Sequence, residues 1–220
     1  MGKLRREKET LESMKKYFPR IGFEGLHYFE ICRDACDLVK KSRCKVKKLH
    51  DSIPRPKDGK LYRLGPKGRL LLDTIRKQES VAIAFAAMCL EACIWDYAAC
   101  RTSQNKTGEN FGSLNLVAKW VVIPQLLCHS DITKTRIVDT NLLGRLRDLN
   151  TARNDLVHPK SKPLPNNLHD VLKAVVTPKK RIAAEDAFRL IGLLLGQLEK
   201  VDKSDWWFFR TETYMNSINP

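Results

Sequence analysis

One apolar run limits the folds that this chain can adopt. It extends without interruption from Val81 to Leu90, and Glu91 ends it. A helix needs about 20 apolar residues to cross a bilayer, so this run is too short to be a membrane span. Residues 81–99 are apolar almost all round a helix, which is typical of a helix buried on every side. The sequence therefore predicts a central core helix from about residue 69 to about residue 101.

Helical spacing of apolar residues recurs on both sides of this helix, and no alternating strand pattern of useful length is present. The predicted helices cover residues 3–18, 25–41, 69–101, 114–128, 140–157 and 183–201. Asp139 or Thr140 is expected to cap the fifth helix, and Pro159 to end it at His158. We expect a polar loop at 103–113, and a kink or break at Pro124. The fold class is all-α, with four long helices within residues 69–201.

Positive charge is concentrated in the first third of the chain. Residues 1–77 contain 22 Lys and Arg against 10 Asp and Glu, whereas the remaining residues contain 18 against 15. The net charge of the whole chain is +15. Such an asymmetry indicates a polyanionic partner, most often nucleic acid, and the alternative is a solubilising face.

The helical pattern gives way between Lys40 and Arg69 to basic residues followed by Pro and Gly, which predicts a turn-rich arm. We divide the chain into a basic, mostly helical N-terminal region with this arm (1–68), a helical bundle (69–205) and an aromatic tail (206–220). RNA-binding candidates occur in the arm and after residue 158; the alternative for the arm is a solvated linker. These candidates are Lys40, Lys41, Arg43, Lys45, Lys47, Lys48, Lys160 and Lys162.

The seven cysteines lie in a chain with no recognisable secretory signal, so we expect reduced thiols and a cytoplasmic location. Cys32, Cys36, Cys44 and His50 have the spacing C-x3-C-x7-C-x5-H, and four such ligands can bind zinc. The alternative is buried thiols, because Cys32 and Cys36 lie on the apolar side of a helix. We favour the thiols, and we expect no metal and no cofactor.

The segment Arg-Asn-Asp-Leu-Val-His at 153–158 combines a fixed cation, an amide and an imidazole. On a helix, Asn154 and His158 lie one above the other. Arg153 and His158 are about 140° apart around the axis, at roughly 100° per residue. A two-fold dimer would bring the pair from each protomer to one shared cleft.

These groups suit RNA cleavage. His158 can take the proton of a 2′-hydroxyl that attacks the adjacent phosphate. Arg153 offers a planar fork of donors to the phosphoryl oxygens. Asn154 can fix the imidazole tautomer or donate to phosphate. The structural alternatives are a helix cap for His158 and a surface ion pair for Arg153, with Asp148 or Asp155 as its partner.

The segment resembles the signature of the HEPN superfamily (higher eukaryotes and prokaryotes nucleotide-binding). That signature is an Arg, commonly followed by Asn or Asp, with a His after four to six residues. The order of the surrounding helices is similar to HEPN bundles of phage-defence and toxin proteins over about residues 75–201. The resemblance rests on Leu90-Glu91-Ala92 in an alanine-rich helix, on Lys119-Trp120 and Pro124 in the next, and on a final apolar helix.

The resemblance implies a four- to five-helix bundle, usually dimeric, in which the Arg and His of both protomers line a shared cleft. Many members are metal-independent endoribonucleases that act as toxins or abortive-infection effectors, and others only bind. We therefore expect RNA cleavage that leaves 2′,3′-cyclic phosphate ends, with Arg153, Asn154 and His158 as the catalytic residues. The expected partners are RNA, a second copy of the chain and an antitoxin or other regulatory protein, with no membrane.

Two alternatives to an enzyme remain open at this point. One is a non-catalytic HEPN-like module that binds nucleic acid or a protein partner. The other is a structural adaptor that docks through the aromatic run Trp206-Trp207-Phe208-Phe209. That run otherwise folds back on the bundle as part of its core, because large exposed apolar groups need a reason.

Overall fold

The computed structural model describes residues 24–52, 65–128, 138–157 and 182–202, which form six helices and no strand. The prediction of an all-α fold is therefore confirmed for this part of the chain. The helices are α1 (Glu24–Asp51), α2 (Pro66–Arg101), α3 (Gln104–Phe111), α4 (Leu116–Leu127), α5 (Thr140–Val157) and α6 (Ala184–Val201).

Helix α2 is the central helix, as its apolar composition predicts. It begins with Pro66 in its first turn, where the backbone N–H that proline lacks would have no intrahelical acceptor. Ala82, Ala86 and Leu90 are fully buried along its length. By length and composition α2 is apolar enough to cross a membrane, but the core helix of a soluble protein meets the same criterion.

Helix α1 lies antiparallel to α2 and is longer than predicted. The Sγ atom of Cys93 would lie 3.2 Å from a Cβ at Gly25, and Arg43 pairs with Glu79 at the other end of the contact. The sequence predicts that this helix ends at about Lys41, but α1 continues to Asp51. The reason is a thin inward stripe in which Ser42 is buried and Val46 packs against the core.

The core of α1 is continuous with that of the later helices. Phe29 contacts Phe188 of α6, with ring centroids 5.0 Å apart. The Cys36 thiol donates to the carbonyl oxygen of Ala184 at 3.3 Å. One hydrophobic cluster therefore joins α1, α2 and α6, and residues from α4 and α5 complete it.

The expected polar loop at 103–113 contains a short helix, which corrects that prediction. Ser103 caps α3 by accepting a hydrogen bond from the Lys106 amide at 3.3 Å. Thr107 and Phe111 are buried four residues apart, so one face of α3 packs inward despite its polar composition. Thr107 also shares a 2.9 Å hydrogen bond with Thr102.

Pro124 does not break α4, which continues to Leu127. Asn115 caps this helix, since its side-chain oxygen accepts from the Ala118 amide at 2.9 Å. Next to the predicted start of α5, Asp139 Oδ1 accepts from the Leu142 amide at 2.7 Å, which confirms Asp139 as the cap.

A buried polar cluster joins the end of α6 to the end of α2. The Tyr97 hydroxyl donates to Asp202 Oδ2 at 3.0 Å, and Arg101 forms an ion pair with the same carboxylate. Asp202 is 5% exposed, so this carboxylate depends on its partners rather than on water. The cluster sets where α6 ends against the central helix.

Some predictions concern residues outside the described ranges. They include the helix at 3–18, the catalytic candidate His158, the basic candidates Lys160 and Lys162, and the aromatic run at 206–209. Helix α5 is described to Val157, the residue directly before His158.

Candidate functional site

Four helices line one cavity of about 470 Å³, which we call the Arg153 cleft. Arg153 comes from α5 and Lys119 from α4. Helices α1 and α2 supply the remaining lining residues, which are Glu24, Tyr28, Met88, Glu91, Ala92, Trp95 and Asp96. The cleft therefore joins the Arg of the Arg-Asn-x3-His segment to side chains from distant parts of the sequence.

Arg153 is half-buried, and its Nη1 donates to the side-chain oxygen of Asn154 at 3.0 Å. Within the described residues it makes no ion pair with Asp148 or Asp155, so the surface ion pair considered from the sequence does not form. A guanidinium carries five N–H donors, and this bond uses one of them. Asn154 thus orients the guanidinium while leaving donors for an anion in the cleft.

Lys119 is the second cation of the cleft, and its side chain is only 6% exposed. Its Nζ donates to Glu91 Oε1 at 2.6 Å and lies 5.1 Å from the ring centroid of Trp95. The neighbouring Trp120 donates from Nε1 to the Leu90 carbonyl at 3.1 Å, which fixes α4 against α2. Lys119 is held in place by both contacts.

Asp96 gives the cleft a group that titrates near neutral pH. Burial, and to a smaller extent the nearby charge of Glu24, raise the pKa of Asp96 from 3.8 to about 7. Desolvation disfavours the carboxylate form, and a second carboxylate disfavours it further. The charge on the α1–α2 side of the cleft therefore changes close to physiological pH.

The lining includes an arginine, two aromatic rings and carboxylates, groups that can each bind a different part of a nucleotide. Arg153 can bind a phosphate, while Trp95 and Tyr28 offer aromatic rings of the kind on which unpaired bases stack. Asp96 and Glu24 can accept hydrogen bonds from the amino groups of a base. The volume lies within the usual range for small-molecule sites.

The structure does not bring the basic run of α1 to this cleft. Lys40 follows Tyr28 by twelve residues and Lys48 follows it by twenty. At about 1.5 Å per residue these distances are roughly 18 and 30 Å along one helix. The RNA-binding candidates at 40–48 thus lie toward the opposite end of α1.

Arg43 differs from the lysines around it. It forms an ion pair with Glu79 of α2, and its Nη1 lies 2.6 Å from Glu185 Oε1 of α6. The charges of these two glutamates help to raise the pKa of Arg43 despite the cost of burial. Arg43 thus joins three helices, a position that the sequence did not indicate.

Cys32, Cys36 and Cys44 do not form a zinc site in the described part of the chain, where no group of three metal ligands occurs. Cys32 donates to the Ala82 carbonyl at 3.3 Å, and Cys44 is exposed on α1. The hydrogen bond with Cys36 and burial raise the pKa of the Cys32 thiol well above its ordinary value. The interpretation of Cys32 and Cys36 as buried thiols is therefore confirmed. The side chain of His50 is not among the side chains that the structure describes.

Sequence reasoning did not identify Trp95, Asp96 and Glu24 as neighbours of Arg153. One signal was present, since Glu91 and Asp96 are the only charged residues between Val81 and Ala99. A charge in an otherwise buried helix indicates an opening in the packing.

Comparison with protein-family models, with curated proteins and with solved structures finds no significant match to this chain.

Proposed function

We propose that this protein is a metal-independent endoribonuclease of HEPN type, with a toxin or phage-defence role. The observation that supports the proposal most is the position of Arg153. This residue has no carboxylate partner among the described residues, and it lines a cleft together with Lys119 and Trp95. A guanidinium with unused donors in a cleft that also contains an aromatic ring is suited to a nucleotide phosphate and its base.

The proposed reaction uses the 2′-hydroxyl of the RNA as nucleophile. The neutral imidazole of His158 takes the hydroxyl proton as the oxygen forms a bond to phosphorus. The bond from phosphorus to the 5′-oxygen breaks, and that oxygen leaves as a 5′-hydroxyl after it takes a proton from solvent, to which the imidazolium of His158 then releases its own. The products are a 2′,3′-cyclic phosphate and a 5′-hydroxyl, and no external oxidant, reductant or water is consumed.

Arg153 would stabilise the charge that builds up on the non-bridging oxygens during this step. Donors that are already oriented need little reorganisation as the charge develops. The 3.0 Å bond from Arg153 to Asn154 supplies such an orientation. In this proposal Asn154 is a positioning residue, and it acts through the guanidinium.

Trp95 and Tyr28 would bind the base beside the cut phosphate. Stacking on an aromatic side chain contributes about 1–3 kcal/mol per base and tolerates different sequences. Lys119 is paired with Glu91 and lies 5.1 Å from the centroid of the Trp95 ring, so its part would be to hold Trp95 in place.

The experiment compares RNA cleavage by purified variants in the presence of a chelator. We expect His158→Ala to lower the rate about 10²–10⁴-fold through loss of the base. Arg153→Ala should lower it about 10²–10³-fold, and Arg153→Lys should restore only part, because the forked geometry is lost. Arg147→Ala is the matched control, since Arg147 is an exposed arginine on the same helix.

Cleavage that is equal in wild type and His158→Ala would contradict the proposal. Salt-sensitive RNA binding without cleavage, unchanged in the Arg153 and His158 variants, would instead favour a non-catalytic binding module.

A further inference from the structure

The outward face of α1 carries its charges in two separate halves. Six exposed residues follow one another along it at intervals of four, three, four, four and three, so they form one stripe of the helix. The first three are acidic and the last three are basic. This outer stripe consists of Glu30, Asp34, Asp37, Lys41, Lys45 and Lys48.

The two halves are arranged symmetrically about Val39. Glu30 and Lys48 have residue 39 as their midpoint, and so do Asp37 and Lys41. Asp34 and Lys45 have a midpoint only half a residue away. A second copy of α1 turned end to end would therefore place an acid opposite a lysine at all three levels.

Leu38 lies one residue from that midpoint, and it is 44% exposed. At about 100° per residue Leu38 lies roughly 60° around the helix from the middle of the stripe. A two-fold axis at this level of α1 would therefore bring the two copies of Leu38 close together along one edge of the stripe. Their contact would remove apolar surface from water beside the charged pairs.

The existing contacts of the stripe are weak and local. Asp34 accepts from the adjacent Arg33 at 3.3 Å, and Asp37 lies 3.9 Å from Lys40. Exposed pairs of this kind contribute about 0–1 kcal/mol each, so little stability is lost when they are replaced by ion pairs to a second molecule. Among the described residues, the lysines of the stripe form no ion pair.

We propose that the outer stripe of α1 is an interface for a second copy of this chain, with the two α1 helices antiparallel. RNA fits the stripe less well, because a phosphate backbone along it would meet three carboxylates before it met three lysines. A second copy matches both halves. This inference does not depend on the proposed ribonuclease activity.

A single pair of helices makes a small interface that contains several exposed charges, so the dimer should be weak and sensitive to salt. We expect sedimentation velocity at micromolar concentrations to show dimer at low ionic strength. At about 1 M salt the Debye length falls to about 3 Å, and the dimer should dissociate.

Charge inversion provides the decisive test. The triple variant Lys41→Glu, Lys45→Glu, Lys48→Glu and the triple variant Glu30→Lys, Asp34→Lys, Asp37→Lys should each be monomeric, because like charges then face each other. An equimolar mixture of the two should associate as a heterodimer. The matched control inverts Lys67, Lys77 and Lys106, which are exposed elsewhere, and it should dimerise like wild type. Circular dichroism verifies that each variant is folded.

Three results would overturn the proposal. They are a wild type that stays monomeric at low salt, a dimer that survives both triple inversions, and a mixture of the two triple variants that does not associate. A monomeric wild type whose RNA binding is lost with the lysine inversion would assign the basic half to RNA instead.

Discussion

Lys119 and Glu91 form an ion pair whose two members differ strongly in their access to water. The Nζ–Oε1 distance is 2.6 Å, and the Lys119 side chain is 6% exposed whereas that of Glu91 is 42% exposed. If the pair is broken, the carboxylate can still be hydrated but the ammonium cannot. The lysine therefore depends on the glutamate far more than the glutamate depends on the lysine.

This asymmetry predicts unequal effects on stability. Glu91→Met removes the acceptor, leaves a buried, unpaired ammonium and should lower the free energy of unfolding by about 2–4 kcal/mol. Lys119→Met keeps the packing and leaves a hydrated carboxylate, so its effect should be below about 1 kcal/mol. Urea unfolding of both variants measures the difference. Equal losses would show that the burial of Lys119 has been misjudged.

Asp96 should make stability depend on pH. Its pKa is raised from 3.8 to about 7, so between these values the folded chain retains a proton that the unfolded chain releases. The contribution of this group to stability is therefore present below pH 4 and is lost as the pH rises toward 7.

Asp96→Asn removes this loss. Relative to wild type, the variant should become more stable as the pH rises from 4 to 8, by about 1–2 kcal/mol after allowance for solvent screening. Thermal unfolding across this range measures the effect. Asp148→Asn, an exposed aspartate with the same change of charge, serves as the control. A constant difference between wild type and Asp96→Asn at all pH values would contradict this account of Asp96.

The cluster around Asp202 should anchor α6. Asp202→Ala leaves the guanidinium of Arg101, which is 13% exposed, without its carboxylate. Because Asp202 is itself buried, we expect a loss of about 3–5 kcal/mol. Tyr97→Phe removes one hydrogen bond at 3.0 Å and should cost about 1 kcal/mol. Guanidinium chloride unfolding ranks the two, and a larger loss for Tyr97→Phe would contradict the assignment.

Arg43 should be structural and not part of an RNA surface. Arg43→Gln removes ion pairs to Glu79 and Glu185, and it should lower stability by about 1 kcal/mol because the site is partly exposed. Lys47→Gln nearby should leave stability unchanged. Chemical unfolding and RNA titration separate the two roles. A stable Arg43→Gln variant that loses RNA affinity would restore the RNA role expected from the sequence.

The core of the fold could be predicted because the apolar residues of each inward stripe lie within one continuous segment of the sequence. The run from Val81 to Leu90 predicted α2, and Leu142, Leu146 and Leu149 predicted α5, since 3.6-residue spacing is a local property. The end of α1 was missed because Ser42 and Val46 continue the inward face of the helix while most residues around them are lysines. A segment so rich in lysine does not show the apolar pattern of a packed helix. Helix α3 was missed because Thr107 is buried although it is polar.

The Arg153 cleft was only partly predictable for a different reason. Arg153 and Asn154 are neighbours in the sequence, so their segment could be found by its spacing. Trp95, Asp96 and Lys119 reach the same cavity from α2 and α4, and no local pattern encodes which helices meet. The raised pKa of Asp96 is likewise a product of packing, because it results from burial and from Glu24 on another helix.

The central claim is that the RNA supplies its own nucleophile and that the 153–158 segment activates it. The most direct test is an RNA with a single 2′-deoxy substitution at the mapped cut site, incubated with wild-type protein. We predict that cleavage at that bond is lost, while the unmodified RNA yields 2′,3′-cyclic phosphate ends. Cleavage that persists at the 2′-deoxy position would contradict the account.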